Sequence, residues 1–385
     1  MIRVAQIIDS LHFGGAQKWQ VMFAQSVPKQ DVALTVISLK KNSQGTDIPD
    51  ELQSLGVRVV YFLPKIAMGL LDFPRLWRLA QFLRREQFDV VHTHLTYANI
   101  IGVMAAKLAG IPVVATIQNS RYDGPHYHPL RYRLETWTLR CLADRLMAVG
   151  HVTAKSNEQR LRGKLIEPVP TALEIMPPLS EAECNALRAE IIGDPARPWF
   201  ISVGRLTQQK GYSDLITAFA DVHQIHPSAV LVIVGGGALH NELKTQIESL
   251  GVEGHAVLLG RRNDVPRLLA ASDIFVSSSH WEGLPVAVLE AMASGLPVVA
   301  TSVSDVPRVV IKGTGIVVPP QKPVLLAQAL CSLLNDPALL KAYGKAAQDH
   351  ISRHHNPAGW VNKIFSIYNS LQKNQVTYVN RAASY

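Results

Sequence analysis

Short runs of β-branched and aliphatic residues recur along the chain, each followed by a longer stretch with apolar residues at helical spacing. In the first half, Arg3–Ile8, Val32–Ser38, Val57–Phe62, Val90–His94, Val113–Ile117 and Arg145–Val149 read as strands. Between them, Gln17–Gln25, Arg75–Glu86, Ile100–Ala109 and Leu130–Leu142 read as helices. Continuously apolar strands separated by helices predict a parallel sheet covered on both faces. The pattern breaks over Gly163–Pro198, which holds Pro168, Pro170, Pro177, Pro178, Pro195 and Pro198 and reads as a join between domains. The alternation then restarts with Trp199–Val203, Val230–Val234, His255–Leu259, Ile274–Ser277, Pro297–Ala300 and Gly315–Val318. The expected fold is therefore α/β: two doubly wound, Rossmann-like domains, residues 1–175 and 176–360, facing a central cleft. In such sheets ligands gather at the carboxyl ends of the strands. The apolar pattern fades from about Gln375, where order is expected to end.

Composition agrees with that division. A chain of 385 residues exceeds what one core usually serves, and 48% hydrophobic with 18% charged residues is ordinary globular material. Cys141, Cys184 and Cys331 lie far apart, without metal-ligand or disulfide spacing, which points to a reducing compartment and a cytoplasmic location. The chain opens directly into a strand pattern, so no signal peptide is expected. The longest apolar region, Leu95–Ile117, is interrupted by Asn99, Lys107 and Pro112 and is too broken for a membrane span. The net charge of +8 is uneven, with 21 Lys/Arg against 14 Asp/Glu in residues 1–180. A basic N-terminal half suits an anionic partner such as a phospholipid surface or a diphosphate-lipid, although a solvated surface would show the same charge. A nucleic-acid partner is not expected, because aromatic stacking platforms at suitable spacing are missing.

Four constellations carry chemistry. In Val203-Gly204-Arg205-Leu206, followed by Lys210-Gly211, a strand ends at Gly204 and two long cations follow on a loop leading into a helix. Arginine forks two phosphate oxygens, lysine adds a mobile point charge, and glycine admits a ligand to the backbone. Alone, the same residues also read as solvated surface cations. The run from Ser279 to Gly295 holds Glu282-Gly283-Leu284-Pro285 and then Glu290. Pro285 suits the first turn of a helix and Gly295 the position past its end. Two carboxylates offset in this way can accept hydroxyl hydrogen bonds at two places on one ligand, and the helix N-terminus between them suits a phosphate. Gly14-Gly15 after the first strand forms a third anion-compatible turn. The fourth pairs the ends of Val91-His92-Thr93-His94 and Ala115-Thr116-Ile117-Gln118. There His92 and His94 are taken to alternate across their strand, so that only one faces the ligand side.

These stretches resemble the retaining glycosyltransferases of family 4, which have the GT-B fold. The resemblance is dense over about residues 199–305, in VGRL…KG, VGGG, LLGRRNDVPRLLAASDIFVSSS and EGLPVAVLEAMASGLPVVAT. It implies that Arg205 and Lys210 bind the donor diphosphate, Glu282 meets the transferred sugar and Glu290 holds the ribose hydroxyls. It further implies that Gly283 and Leu284 contact sugar and phosphate, that Arg261 lies by the nucleobase, and that Gly14 and Gly15 reach the phosphates with Gly204 beside them. His94 and Gln118 become candidate sugar or acceptor contacts. A C-terminal helix over 361–385 is implied to return toward the first domain, ending in a flexible tail. The implied reaction moves a sugar from a nucleoside-diphosphate-sugar to a hydroxyl of a lipid-linked or saccharide acceptor, with retention. No cofactor and no metal are required.

The chain departs from the family in three places. Gln118 stands where a histidine is frequent, Val306-Pro307-Arg308 where an acid is usual, and an Asn-Gly before the second domain is missing around Thr171–Pro178. A sugar-nucleotide epimerase of the same architecture is the alternative. A nicotinamide dehydrogenase is disfavoured because the dinucleotide fingerprint after Val234 needs glycine where His240 stands. A metal-dependent transferase of the other common fold would need an Asp-x-Asp, which does not occur. Two stretches are candidates for an anionic membrane surface: the helix Arg75–Glu86, which also reads as an ordinary sheet-covering helix, and the basic, aromatic run Arg121–Arg140.

Overall fold

The computed structural model describes residues 1–12, 14–40, 47–62, 73–118, 128–173 and 177–382, with backbone alone from 372 onward. The chain forms two compact units. One is Met1–Ala172 together with Pro357–Tyr385, and the other is Leu173–Asn356.

The first unit is built on seven parallel strands: β1 (Ile2–Ile8), β2 (Val32–Ser38), β3 (Arg58–Tyr61), β4 (Val90–His94), β5 (Val113–Ile117), β6 (Arg145–Ala148) and β7 (Ile166–Pro168). Their order is β3-β2-β1-β4-β5-β6-β7. Strand order reverses between β1 and β4, so the ligand crevice of this sheet lies beyond Ile8 and His94. The second unit has β8 (Trp199–Val203), β9 (Val230–Val234), β10 (Ala256–Gly260), β11 (Ile274–Ser277), β12 (Val298–Thr301) and β13 (Gly315–Val318), ordered β10-β9-β8-β11-β12-β13. Its reversal falls between β8 and β11. These are the strands that lead into the Arg205/Lys210 loop and the Glu282 loop, so topology alone brings those two loops together.

Burial explains why the strands read as unbroken apolar runs. All of β4, β5, β9, β11 and β12 is buried, with helices packed on both faces. The stretch read as a join contains structure of its own: edge strand β7 and the helix Glu181–Ile192. Pro168 ends an edge strand, where a missing N–H does no harm. The helix opens on a Ser180/Glu183 capping box, with Glu183 N donating to Ser180 Oγ and Ser180 N donating to Glu183 Oε2.

The division between units falls at Ala172/Leu173 and Asn356/Pro357, slightly ahead of the boundaries read from sequence, because Trp360 belongs to the first unit. The last helix, Pro357–Ala382, buries Trp360, Ile364, Tyr368 and Leu371 against Trp19 and Phe23 of the helix Gly15–Ser26. Its backbone stays helical past Gln375, where order was expected to end, since no proline or glycine follows Gly359. The helix Phe73–Arg85 turns Leu76, Leu79 and Leu83 onto the sheet, so its apolar face is committed to the core. The stretch Ile100–Ala109 begins with a π-helical turn, Ala98–Gly102. Among the described residues, no single helix is long and apolar enough to cross a membrane.

Candidate active site

In the second unit, the loop after β8 and the loop after β11 are stitched together. His280 N donates to the Gln209 carbonyl at 2.8 Å. Gln209 Nε2 donates to the Trp281 carbonyl at 3.1 Å, and Ser278 Oγ to the Lys210 carbonyl at 2.9 Å. His280 Nε2 meets Asp214 Oδ2 at 2.8 Å. Gly211 sits at φ +60°, and a Cβ there would lie 2.2 Å from the Ser278 carbonyl, so only glycine lets the loops approach this closely. The result sets Lys210 Nζ 2.5 Å from Glu282 Oε1, which also accepts from Ser279 Oγ at 2.6 Å. Glu282 is only 6% exposed, so its charge depends on these partners.

Lys210 and Glu282 line a small pocket with Ser202, Tyr212, Ser277 and Pro285. The Tyr212 hydroxyl is buried beside Ser202, and burial, with the Glu282 charge behind it, pushes that hydroxyl up. The helix Val286–Ala293 starts at the pocket, with Pro285 at its cap rather than in its first turn, and ends before Gly295 at φ +79°. Glu290 is half-buried on that helix. Gly283 and Leu284 form the connecting loop, which Ser304 Oγ steadies by donating to the Gly283 carbonyl at 2.8 Å.

Arg205 projects into solvent without a side-chain partner among the described residues. Its loop leans on the glycine run after β9. Leu206 N donates to the Gly236 carbonyl at 3.1 Å, and a Cβ on Gly235 would lie 1.9 Å from the Gly204 carbonyl. The Val234-Gly235-Gly236-Gly237 run thus lets one loop press against another, with the Arg261 side chain lying against Gly236. Asp305, buried at the cap of Val306–Val309, is an acid one position ahead of the Val306-Pro307-Arg308 departure.

Gly14 and Gly15, in the other unit, begin the helix Gly15–Ser26, where Gln17 Nε2 reaches back to the Ser10 carbonyl at 2.8 Å. His92 and His94 do not alternate. Residues two apart on a strand share a face, and their rings stand 4.2 Å apart beside Trp19. His92 bridges the Tyr368 hydroxyl at 2.7 Å and Thr116 Oγ1 at 2.6 Å. His94 is wholly buried at the end of β4, with no hydrogen-bond partner for either ring nitrogen among the described residues. Gln118 is half-buried just past β5, and its Nε2 has no hydrogen-bond partner among the described residues.

Sequence reading missed Asp9, the first polar residue after Ile7-Ile8. Asp9 accepts from Ala98 N at 2.7 Å and Tyr97 N at 3.2 Å, and burial pushes its carboxyl up to about 7. Lys40 and Arg131 lie over the Tyr97 ring, 5.3 and 4.5 Å from its centroid. The basic run Arg121–Tyr127 lies outside the described residues.

Burial holds both histidines neutral: His92 falls to about 3, and His94 falls well below its ordinary value through burial and then the neighbouring His92. A value lower in the folded than in the unfolded chain stabilises above about pH 6.5 and is lost as pH falls. His94→Leu is therefore expected to flatten this acid limb, with wild type losing about 2 kcal/mol more than the variant between about pH 7 and pH 5. Asp9 titrates in the opposite sense but equally in both proteins, so urea midpoints of the pair isolate His94. Equal losses would refute this role.

Comparison with known proteins decides the family. Residues 186–350 match the family described as glycosyl transferases group 1, and residues 14–170 match the glycosyl transferase 4-like domain. The chain belongs to the GT-B glycosyltransferases of the family 4 type. An Escherichia coli relative, UDP-Gal:alpha-D-GlcNAc-diphosphoundecaprenol alpha-1,3-galactosyltransferase, is 28% identical over 79% of this chain and 80% of its own. Alpha-D-kanosaminyltransferase of Streptomyces kanamyceticus is 29% identical over 69% and 73%. The Anabaena HepE structure, solved with UDP and glucose, superposes with a TM-score of 0.84 over 96% of this chain and all of its own, at 22% identity. As a GT-B glycosyltransferase, the protein is an enzyme that moves sugars.

Proposed function

We propose that this glycosyltransferase takes a hexosyl group from a nucleoside-diphosphate-sugar and passes it to an acceptor hydroxyl with retained anomeric configuration. The observation that carries the reading is the Lys210–Glu282 pair, set in a pocket at the strand-order reversal beside a helix N-terminus. Lys210 and Arg205 meet the diphosphate, aided by the amides opening the helix Val286–Ala293, so this charge is neutralised without a required metal. Glu282 orients the sugar, Glu290 holds the ribose, Gly283 and Leu284 line the path between them, and Arg261 borders the base.

In the transfer, the bond between the anomeric carbon and the diphosphate oxygen breaks as the acceptor oxygen bonds to the same face. The acceptor proton passes to the departing phosphate oxygen. Gln118 cannot serve as a base, and this route needs none. The printed name of the E. coli relative includes a lipid-diphosphate-linked saccharide. It supports an acceptor of that class here, in envelope polysaccharide or glycolipid synthesis at the inner face of a membrane.

The test is a screen of UDP- and GDP-sugars against lipid-linked and free saccharides, reading nucleoside diphosphate release and the anomeric coupling of the product. Release with one donor and a retained anomer is the expected result. No release from any donor, or an inverted product, would overturn the corresponding part of the reading.

A further inference from the structure

Three helices cover one face of the first unit's sheet: Phe73–Arg85, the continuous turn and helix Ala98–Ala109, and Pro129–Cys141. Leu79, Val103 and Leu139 from the three share one buried core. Arg84 Nη2 donates to the Leu108 carbonyl at 2.7 Å, tying the first to the second, and Thr138 Oγ1 donates to the Asn99 carbonyl at 3.2 Å, tying the third to the second. Their inner faces are therefore fully occupied. The outer faces carry large apolar groups that the fold leaves in water.

Phe73 is 66% exposed, Trp77 54% and Trp137 49%, with Leu108 and Leu130 exposed among them. Interspersed with these, Arg78, Arg84, Arg85, Arg133 and Arg140 are exposed as well. Along all three helices Glu135 is the sole carboxylate, and it is buried against Arg160 at 3.1 Å. Among the described residues the flanking acids are engaged: Glu86 accepts from Arg58 at 2.7 Å and from Arg85 at 3.3 Å, and Asp144 pairs with Lys107 at 2.5 Å. Among the described residues, Arg78, Arg133 and Arg140 thus stand on the outer face beside the indoles, with no carboxylate paired to them.

We propose that this three-helix face docks on an anionic phospholipid bilayer. Indoles settle at the boundary between headgroups and acyl chains, where one edge is apolar and the other wet. Arginines pair with lipid phosphates and follow the negative surface potential. The arginines interspersed with these apolar side chains suit insertion between headgroups better than a dry protein interface. Each helix follows the carboxyl end of a parallel strand, so Phe73, Trp77 and Leu130, near helix N-termini, lie toward the edge that carries Asp9 and Tyr97. The face replaces the docking mode read from sequence: the helix Phe73–Arg85 keeps its leucine stripe inside and presents its other side.

The inference deepens the lipid-linked acceptor reading, but its test needs no sugar transfer, so the two can fail separately. Full-length protein is floated with vesicles of phosphatidylcholine alone or with equimolar phosphatidylglycerol. Wild type is expected to float with the anionic vesicles and not with the neutral ones. Arg78→Glu/Arg133→Glu/Arg140→Glu is expected to weaken the partition by at least about tenfold, and Trp77→Ala/Trp137→Ala by roughly severalfold. Lys341→Glu/Lys345→Glu/Arg353→Glu, on the helix Pro337–His354 of the other unit, makes the same charge change elsewhere and should stay within about twofold of wild type. Circular dichroism confirms that each variant is folded. Equal partition of wild type onto both vesicle types, or equal loss in both charge-reversed proteins, would overturn the proposal.

Discussion

Replacing Lys210 with alanine is expected to lower kcat/KM by about a hundred- to a thousandfold, the scale of losing one charge-stabilising donor at a leaving group. The side chain has two duties that the change removes together. It faces the pocket proposed to take the diphosphate, and it neutralises Glu282, which is 6% exposed and retains Ser279 as a hydrogen-bond donor. Glu282→Gln separates the duties. It removes the negative charge that occupies Lys210, so the lysine becomes fully available to a phosphate. Turnover should fall while the nucleoside diphosphate itself binds tighter, by roughly three- to tenfold. Opposed movements of kcat and product affinity, measured by inhibition and titration calorimetry, mark Glu282 as a sugar-orienting group that shields the lysine. Parallel losses of both would mean that the glutamate merely supports the fold.

The second large effect is structural. Trp360→Ala should cost about 3–5 kcal/mol of stability, confined to the unit that contains Trp19. The Trp360 ring lies 5.0 Å from that of Trp19 and 6.0 Å from that of Phe23, edge-on to both, and is 5% exposed. Its indole N–H has no partner among the described residues, so the contribution is apolar burial and ring contact rather than hydrogen bonding. Chemical denaturation followed by probes in each unit reads this directly. The first unit's transition should move and that of Leu173–Asn356 should stay. Movement of both together would show that the units unfold as one.

Strand placement was legible in the sequence because most positions of the buried parallel strands are β-branched or aliphatic and the flanking segments are not. β2, β4, β5, β8, β9, β11 and β13 fall on the residues the pattern predicts. Where a strand is short, at an edge and ends in proline, as β7 is, that signal vanishes, and the helix behind it was hidden by flanking prolines despite its Ser180/Glu183 box. The meeting of the loops after β8 and β11 was legible for a different reason: Gly204, Arg205, Lys210 and Glu282 are close in chain position to strand ends, and the strand-order reversal does the rest. The contacts that fix them were not legible. His280 to Asp214 and Ser278 to the Lys210 carbonyl join positions 66 and 68 residues apart, a separation no local pattern reports. On the other sheet, His94 drew attention because of its residue type, while its burial beside Trp19 had no local signal. Asp9, placed at the reversal of that sheet, had no motif to announce it.

The first unit is discontinuous in the chain, with Leu173–Asn356 as a contiguous insert ahead of its final helix. On a ribosome, the insert therefore emerges complete while the Trp19 and Phe23 rings still lack their cover. Only when residues 357–371 leave the exit tunnel can that surface be sealed. Until then the nascent protein displays apolar aromatic surface of the kind that makes incomplete chains prone to aggregation.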